Sequence, residues 1–416
     1  MTQNNQPLDL EEALHRIRQS LTPASSTEII DLTAARQRIL AIDVIAPVSL
    51  PPFPASAMDG YALSLPQDEA VGSHPYTVVG ASLAGHPWTG TLSAKECVRV
   101  FTGALVPNGA NQVIPQEEVA NNDLEAQSVR FKPHQPSESF VRGVGHDIEQ
   151  GQTLLPKGTR LSAFALGSLA AAGISRVSVF RQLSVGVFST GDELVELGVE
   201  PTDLKPGQIY DSNRFTVLNL LADEPCELHD LGCIPDDQIQ TTAAIRDAAA
   251  RHDVLITSGG VSVGDADFVT NTIRNLGELN FWKLNLKPGK PLALGRVDDC
   301  WIFGLPGNPV STIITLLLIT KPALAHLAGQ ANNPQTVACH AALTQPIQHA
   351  PGRKEFQRGI ATETINGIEV SSTGDQSSNR LSSFTRANCL IALPKDKGDL
   401  PTGTQVQIYP FHGLLG

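Results

Sequence analysis

The sequence lacks the features of a membrane protein, a secreted protein or a general nucleic-acid binder. Its 416 residues carry a formal charge of −12, whereas binding to nucleic acid or anionic lipid requires a net basic face. The longest largely apolar run, residues 313–319, is far too short to span a bilayer. The first residues show no basic-then-apolar signal pattern. An anionic substrate would therefore need a local basic patch on an acidic protein.

Cysteine and histidine are also too dispersed to indicate a metal or disulfide framework. The six cysteines form no C-x-x-C pair, and only Cys339 adjoins a histidine, His340. This spacing argues against zinc and disulfides and favours a reducing cytoplasm. We find no local Ser/His/Asp or Cys/His signature either. Catalysis would have to come from positioning and electrostatics.

The composition and the apolar spacing change several times along the sequence. Its length suits roughly two to four domains. Residues 8–40 and 142–180 show helical spacing of apolar residues, while residues 43–136 are rich in proline, glycine and short β-type runs. An all-β unit between two helical segments predicts an insertion into a discontinuous linker domain. The apolar residues that indicate helices are Leu10, Leu14, Ile17, Leu21, Ile29, Leu32, Ile39, Leu161, Phe164, Leu166, Leu169 and Ala172.

From residue 183 to residue 329, strand and helix signals alternate, which predicts α/β layers with a mostly parallel sheet. The expected strands are 183–188, 227–231, 254–256 and 301–305. The expected helices are 214–222, 237–250, 267–276 and 310–327. The remaining chain again favours strands, at 354–360, 368–371, 390–393 and 405–409.

Three glycine-containing segments, residues 189–193, 257–267 and 305–311, follow predicted strands of this sheet. Because loops after parallel strands share one edge, we expect them to converge on one crevice. Glycines let a ligand approach backbone N–H groups. In the third segment, Asn308 as N-cap and Pro309 as the first helical residue would present helix N–H groups to an anion. A tight turn or a well-capped helix would explain each segment alone.

Lysines cluster close to the same edge. If residues 282–287 form a strand, Lys283 and Lys287 lie on one face, and a turn at residues 288–289 brings Lys290 close to them. Three cations near one turn predict the capture of phosphate or another oxyanion. A solvated basic face is the alternative.

Carboxylates also gather there: Glu193, Asp265 and Asp267, joined by Asp211 and Asp236. Mg²⁺ keeps several waters and bridges one or two carboxylates to substrate phosphates, so this combination suits it. An acidic rim that serves only solubility is the alternative.

Seven motifs occur in order along nearly the whole chain. They are residues 56–62 (Ser-Ala-Met-Asp-Gly-Tyr-Ala), 101–107 (Phe-Thr-Gly-Ala-Leu-Val-Pro), 189–194 (Ser-Thr-Gly-Asp-Glu-Leu), 210–213 (Tyr-Asp-Ser-Asn), 257–267, 287–291 (Lys-Pro-Gly-Lys-Pro) and 305–311 (Leu-Pro-Gly-Asn-Pro-Val-Ser). Together they resemble the molybdopterin molybdenumtransferase family, which comprises the bacterial MoeA proteins and the related C-terminal domain of gephyrin.

The resemblance implies four domains and an elongated homodimer. The four domains are a discontinuous helical linker domain (1–42 and 140–180), an inserted β domain (43–139), a molybdopterin-binding three-layer α/β domain (181–329) and a C-terminal β-barrel (330–416). Each cleft would combine the α/β and C-terminal domains of one subunit with the inserted β domain of the other. Partners would include the molybdopterin adenylyltransferase and other molybdenum cofactor proteins.

The implied reaction inserts molybdate into adenylylated molybdopterin, releases AMP and uses Mg²⁺; molybdate and tungstate both remain open as the substrate. The implied catalytic residues are Asp59, Asp147, Glu193, Asp236 and Asp267, with Glu193 and Asp267 as metal ligands. The substrate-binding residues suggested by the resemblance and by the loops are Thr102, Ser258, Gly259, Gly260, Ser262, Lys283, Lys287, Lys290, Pro306, Gly307, Pro309, Arg353 and Ser378.

One position departs from the family, and two other functions remain open. His146 stands where the family often has an acid, between the retained Gly145 and Asp147, and histidine titrates near neutrality. A nucleotide-processing relative, such as the molybdopterin adenylyltransferase or a CinA-like pyrophosphatase, would share the α/β domain. The two added β domains argue against the adenylyltransferase. A non-catalytic scaffold would be expected to carry a preceding adenylyltransferase domain or a long linker.

Overall fold

The computed structural model describes residues 7–23, 25–66, 69–123, 127–260, 268–331 and 338–415. The first described helix is α1 (Leu10–Ser20). Of the predicted apolar series, Leu10, Ile17 and Leu21 are buried and Leu14 is partly buried, and Ala13 is buried beside them.

The helical prediction for the rest of residues 8–40 is wrong. The apolar series through Ile29, Leu32 and Ile39 falls on strand β1 (Thr27–Asp31), a short 3₁₀ turn (Leu32–Ala34) and the chain leading to β2 (Val44–Ile45). The side chain of Ile29 is 63% exposed, so the apolar spacing here does not mark a buried helical face.

The predicted β-rich segment forms a six-stranded sheet in the order β7-β4-β6-β5-β9-β8. Its core contains fully buried Leu63, Val98, Ile114 and Phe131. The strands of this segment are β3 (Ala55–Ser56), β4 (Gly60–Leu63), β5 (Tyr76–Ser82), β6 (Glu96–Val100), β7 (Gln112–Pro115), β8 (Val119–Asp123) and β9 (Ser128–Phe131).

The chain then returns to the region of β1 and β2. It forms β10 (Val141–Arg142), β11 (Thr153–Leu155), α2 (Ala163–Ala171) and β12 (Arg176–Phe180). Strand β12 pairs with β1, and β11 pairs with β2, so the two halves make one unit around the inserted sheet. The helical prediction for this return segment is correct only for α2. Its apolar face is also narrower than expected, because Phe164 is 89% exposed while Leu169 is fully buried.

A six-stranded sheet in the order β16-β13-β17-β21-β20-β18 forms the centre of the next unit. The first four strands are mutually parallel, and β20 and β18 add antiparallel pairs, so the predicted mostly parallel sheet is confirmed. The sheet strands and helices of this unit are β13 (Leu183–Thr190), α3 (Ser212–Leu221), β16 (Cys226–Ile234), α4 (Gln238–Ala249), β17 (Val254–Ser258), α5 (Phe268–Leu276), β18 (Glu278–Lys283), β20 (Pro291–Val297) and β21 (Cys300–Leu305). Three short strands of the same segment lie outside this sheet: β14 (Leu194–Val195) and β15 (Ile209–Tyr210), which pair with each other, and β19 (Leu286–Lys287).

The last helix of this unit runs continuously through α6 (Pro309–Thr315), a π-helical segment (Leu316–Thr320) and α7 (Lys321–Leu327). By length and composition it could cross a bilayer, and the apolar run identified in the sequence is only its middle. However, 89% of its most apolar window is buried within the protein. The packing of this helix against the sheet accounts for its composition.

The C-terminal unit is a closed five-stranded barrel. Strand β23 pairs with both β24 and β25, and β22 and β26 complete the ring. Strand β19 leaves the α/β unit to pair with β23, which joins the two units through backbone hydrogen bonds. The elements are β22 (Cys339–Leu343), β23 (Lys354–Thr364), β24 (Gly367–Ser372), β25 (Cys389–Leu393), β26 (Gln405–Pro410) and α8 (Phe411–Leu415).

The edge of the α/β sheet contains a histidine pair that should make stability depend on pH. His252 Nδ1 and Ser184 Oγ form a hydrogen bond (2.8 Å), and the centroids of the His252 and His229 rings are 4.8 Å apart. Burial and the charges of His229 and Arg251 lower the pKa of His252. The unfolded chain therefore binds a proton first as pH falls, which favours unfolding. We expect the melting temperature to fall between pH 7 and pH 5, and less steeply in His252→Gln. If calorimetry showed that the melting temperatures of wild type and His252→Gln fall equally steeply with pH, the expectation would be contradicted.

Candidate active-site cleft

Three neighbouring strands of the α/β sheet end at the same edge. In the register, Ser189 of β13 is opposite Ser258 of β17, which is opposite Leu305 of β21. The loops that follow therefore start side by side, as parallel topology predicts. A Cβ placed on Gly307 would lie 3.8 Å from the Cα of Gly259, so these two loops nearly touch.

Only glycine fits the first two positions after β17. Gly259 and Gly260 have φ values of +98° and +64°, in the region that favours glycine. A Cβ on Gly259 would lie 3.0 Å from the carbonyl oxygen of Thr190, and one on Gly260 would lie 2.7 Å from Val269 Cγ2. Among the described residues, the buried hydroxyls of Thr190, Thr257 and Ser258 have no hydrogen-bond partner. The site thus offers polar atoms behind a backbone that a ligand can approach closely.

A cleft of about 810 Å³ lies between this edge and the barrel. Its wall on the α/β side includes the loops after β17 and β21 and the turn between β19 and β20. Its other wall comes from β23 and the turn after β24. The described lining residues are Gly259, Gly260, Lys287, Pro288, Gly289, Lys290, Pro291, Pro306, Gly307, Asn308, Ser311, Arg353, Glu355, Phe356, Asp375, Gln376, Ser377 and Ser378.

The helix after β21 begins at the cleft. Asn308 occupies the N-cap position and Pro309 the first helical position, as predicted, but the Asn308 side chain makes no capping hydrogen bond. The N–H of Val310 instead donates to the carbonyl oxygen of Ser378 in the barrel (3.1 Å). Asn213 Nδ2 donates to the Gly307 carbonyl oxygen (2.7 Å) and fixes the loop from the other side. One helix N–H therefore joins the two walls and is already satisfied.

The predicted lysine cluster is only partly assembled. Lys287 and Lys290 line the cleft, together with Arg353. Lys283 does not, because residues 282–287 are not one strand: β18 ends at Lys283 in the α/β sheet, whereas β19 pairs with β23 in the barrel. The expectation that Lys283 and Lys287 share a strand face is wrong. The change of sheet falls between them, and periodicity carries no signal for it.

A carboxylate from the barrel, Glu355, faces Lys287. Lys287 Nζ lies 3.1 Å from Glu355 Oε2, and the Glu355 side chain is only 5% exposed. Burial acts to raise the pKa of Glu355, but hydrogen bonds from His349, Gln357 and Lys287 outweigh it and hold the pKa below its usual range. Glu355 is therefore an anion that orients a cation toward the cleft.

The acidic residues separate into different roles. Asp192 Oδ1 accepts the backbone N–H of Asp236 (3.1 Å), and burial together with the negative charges of Asp192 and Glu193 raises the pKa of Asp236. Asp211 instead is buried, accepts from Ser189 and Arg214, and caps α3. Asp211 is thus a structural residue and not a ligand at the edge. In the described part of the chain, no three His, Cys, Asp or Glu residues are grouped as metal ligands.

The remaining predicted acids belong to the inserted β segment and its border. Asp59 Oδ1 accepts from both the backbone N and the Oγ1 of Thr102, each at 2.8 Å. These bonds lower the pKa of Asp59. Asp147 is exposed, and its N–H donates to the carbonyl oxygen of Leu50 (2.9 Å). No described residue that lines the cleft comes from residues 43–147. Ser262, Asp265 and Asp267 lie outside the described residues.

Of the polar turn that completes the barrel wall, residues 375–378, only Ser378 was predicted from the sequence. Ser377 Oγ and N, together with Arg380, donate to Asp375 and lower its pKa to about 2. Gln376 Oε1 accepts from the N–H of Arg358 (2.8 Å), which fixes the turn to β23. A Thr-Gly-Asp triplet ends at Asp375, and the same triplet follows β13, at residues 190–192. That repeated triplet was the available signal.

Comparison with known proteins gives matches along the whole chain. Residues 8–173 match the MoeA N-terminal region (domain I and II), 186–326 a probable molybdopterin binding domain, and 340–411 the MoeA C-terminal region (domain IV). A molybdopterin molybdenumtransferase from Haemophilus influenzae is 41% identical over 98% of this chain and 100% of its own length. A gephyrin from Dictyostelium discoideum is 32% identical over 91% of this chain and 59% of its own length.

Solved structures give the same result for the fold. The crystal structure of a molybdopterin biosynthesis MoeA protein from Pyrococcus horikoshii superimposes with a TM-score of 0.79 at 28% identity, covering 97% of this chain and 99% of that one. Another crystal structure of a molybdopterin biosynthesis MoeA protein from Pyrococcus horikoshii gives a TM-score of 0.72 at 30% identity, covering 98% of this chain and 99% of that one.

Proposed function

This chain belongs to the molybdopterin molybdenumtransferase family, and from that premise we propose that it transfers molybdenum from molybdate to molybdopterin in the cleft between the α/β unit and the barrel. The substrate would be adenylylated molybdopterin, and the products would be molybdenum cofactor and AMP. The reaction would take place in the cytoplasm. The observation that carries the proposal is a cationic wall in an acidic protein: Lys287, Lys290 and Arg353 line one cleft next to the Gly259-Gly260 loop.

Both substrates are oxyanions, and the cleft residues suit them. Lysine ammonium groups and an arginine fork bind phosphate and molybdate oxygens through charge-assisted hydrogen bonds. In the reaction, both sulfurs of the dithiol form of molybdopterin bind the molybdenum, and their two protons leave with one molybdate oxygen as water. Water cleaves the phosphoanhydride to release AMP. The chain contributes by holding the two anions together against their mutual repulsion, which is catalysis by positioning.

Mg²⁺ would fit the acidic group at the same sheet edge. The raised pKa of Asp236 reflects burial and the adjacent charges of Asp192 and Glu193, which a divalent cation would relieve. We propose Glu193 and Asp267 as ligands; of these, Glu193 is the one whose charge acts on Asp236 in the described structure. When bound, the ion would neutralise charge on the substrate phosphates, and water and phosphate oxygens would complete its coordination.

A homodimer would explain why the implied catalytic residues Asp59 and Asp147 and the implied substrate-binding residue Thr102 do not line the described cleft of their own chain. Asp59 and Thr102 form a fixed hydrogen-bonded pair on the inserted β segment, and Asp147 lies at its border. A second subunit could bring this surface to the cleft, which a closed two-fold dimer would do twice.

The experiment that tests the function is incubation of the purified protein with adenylylated molybdopterin, Mg²⁺ and molybdate, while AMP release and metal incorporation are both measured. We expect the two to rise together in equal amounts. AMP release without metal uptake would favour a pyrophosphatase. The absence of both AMP release and metal incorporation would favour a scaffold. Replacing molybdate by tungstate in the same assay measures the metal preference.

Asp267→Asn should abolish molybdenum insertion while the protein stays folded, because it removes a charge without changing volume. The motivation is the position of Asp267 in the family motif of residues 257–267. The matched control is Asp247→Asn, since Asp247 is exposed on α4 and pairs only locally with Arg251 in the described structure. Wild-type rates of cofactor formation in Asp267→Asn would exclude the role.

A further inference from the structure

A buried histidine lies behind the cation that faces the cleft. The His349 side chain is 1% exposed and contacts Glu355, whose carboxylate also contacts Lys287. The order from the interior to the cleft is therefore imidazole, carboxylate, ammonium. None of the predicted site residues accounts for the first two.

Both ring nitrogens of His349 face acceptors. Nδ1 lies 3.0 Å from Glu355 Oε2, and Nε2 lies 3.1 Å from the carbonyl oxygen of Pro394. A neutral imidazole has one donor and one acceptor, so it can satisfy only one of these contacts. A doubly protonated ring donates to both. The geometry therefore fits an imidazolium next to a carboxylate.

The net charge of His349, Glu355 and Lys287 decides how strongly the cleft attracts an anion. With a neutral ring, Glu355 and Lys287 would cancel, and the wall would lose most of its attraction for an oxyanion. With a charged ring, His349 and Glu355 cancel each other, and the charge of Lys287 remains available. In the described structure, Glu355 contacts the ring, Lys287 lies beyond Glu355, and Asp399 accepts the His349 backbone N–H (2.9 Å).

We propose that His349 and Glu355 are positioning residues, a buried imidazolium–carboxylate pair that holds Lys287 at the cleft and leaves its charge free for an oxyanion. The proposal rests on the proposed function, because it concerns the same anion-binding wall. It adds a specific role for two residues that never need to touch the substrate.

The first test measures the ring itself, in the full-length wild-type protein without ligand. Nitrogen NMR of ¹⁵N-histidine-labelled protein, with His349→Asn used for assignment, should show both His349 nitrogens protonated at pH 7.5. An unconstrained histidine is mostly neutral at that pH. A His349 spectrum typical of a neutral tautomer would overturn the proposal, whatever the protein does with its substrates.

The second test measures the dissociation constant for sodium molybdate by calorimetry. His349→Asn keeps a neutral donor toward Glu355 but removes the charge, so we expect binding about tenfold weaker, as for one charge at a partly buried site. The matched control is Gln357→Met, because Gln357 Nε2 donates to Glu355 Oε1 (3.1 Å) without charge. This control should weaken binding by less than about threefold, the order of one neutral hydrogen bond.

A double variant separates positioning from general damage. In a Lys287→Met background, adding His349→Asn should cause no further loss of molybdate affinity, since His349 acts through Lys287. An equal loss in both backgrounds, or wild-type affinity in His349→Asn, would overturn the proposal. Failure of the wild-type protein to bind molybdate would count against the proposed function instead, and the NMR result would still decide the charge on His349.

Discussion

Arg358→Met should destabilise the C-terminal barrel by roughly 3 kcal/mol, the cost typical of removing a buried, hydrogen-bonded charge. Arg358 on β23 is fully buried. Its guanidinium donates to Ser383 Oγ (2.8 Å) and to the carbonyl oxygens of Gln376 and Ser377 (3.2 Å each). Burial lowers its pKa to about 10 against the opposing charges of Asp375 and Glu355, so the guanidinium is still charged at neutral pH. Methionine would leave all three acceptors without this donor.

The same bonds hold the turn at residues 375–378, so the loss should extend to the cleft. Gln376, Ser377 and Ser378 line it, and Ser378 accepts the Val310 N–H from the opposite wall. Denaturant unfolding followed by circular dichroism measures the stability change. Arg353→Met is the matched control, because Arg353 is exposed at the cleft and a surface change usually costs less than about 0.5 kcal/mol. Equal midpoints for wild type and Arg358→Met would contradict the argument.

The fold was predictable where local pattern and tertiary contacts agree. Continuous apolar runs such as those of β17 and β21 predict buried parallel strands. The glycines after them indicate the sheet edge where the loops come together. The helix expected around Ile29 failed because this segment pairs in register with Ser178, almost 150 residues later. No local periodicity contains that information, and apolar spacing on an exposed strand resembles a helical stripe.

The site shows the same division. Gly259, Gly260 and the residues after β21 were predicted because backbone chemistry demands glycine or a helix start there. Glu355 and His349 were not, since their importance depends on which barrel face meets the α/β unit. Their surroundings in the sequence look like any strand and turn. The split of Lys283 from Lys287 has the same origin, a change of sheet within five residues.

Two variants that are each inactive should restore activity when they share one dimer. Lys287→Met removes a cleft ammonium, and Asp59→Asn removes a carboxylate held at 2.8 Å by two groups of Thr102. Charge-assisted hydrogen bonds are worth about 1.5–3 kcal/mol, so each parent should retain less than about one-tenth of wild-type cofactor formation. If each cleft takes its inserted β segment from the other subunit, one of the two clefts in a hybrid dimer carries neither change.

The hybrid, coexpressed with two different tags and purified through both, should therefore show about half of wild-type activity, one intact cleft in two. A hybrid of Lys287→Met with Asp267→Asn is the control: both changes affect the α/β side, so each cleft keeps one defect and activity stays low. If the first hybrid is as inactive as its parents, Asp59 acts within its own chain or outside the reaction. Because Thr102 holds Asp59 in place before any partner arrives, recovery would mean that the second subunit supplies an already formed surface and not a loop that folds on contact.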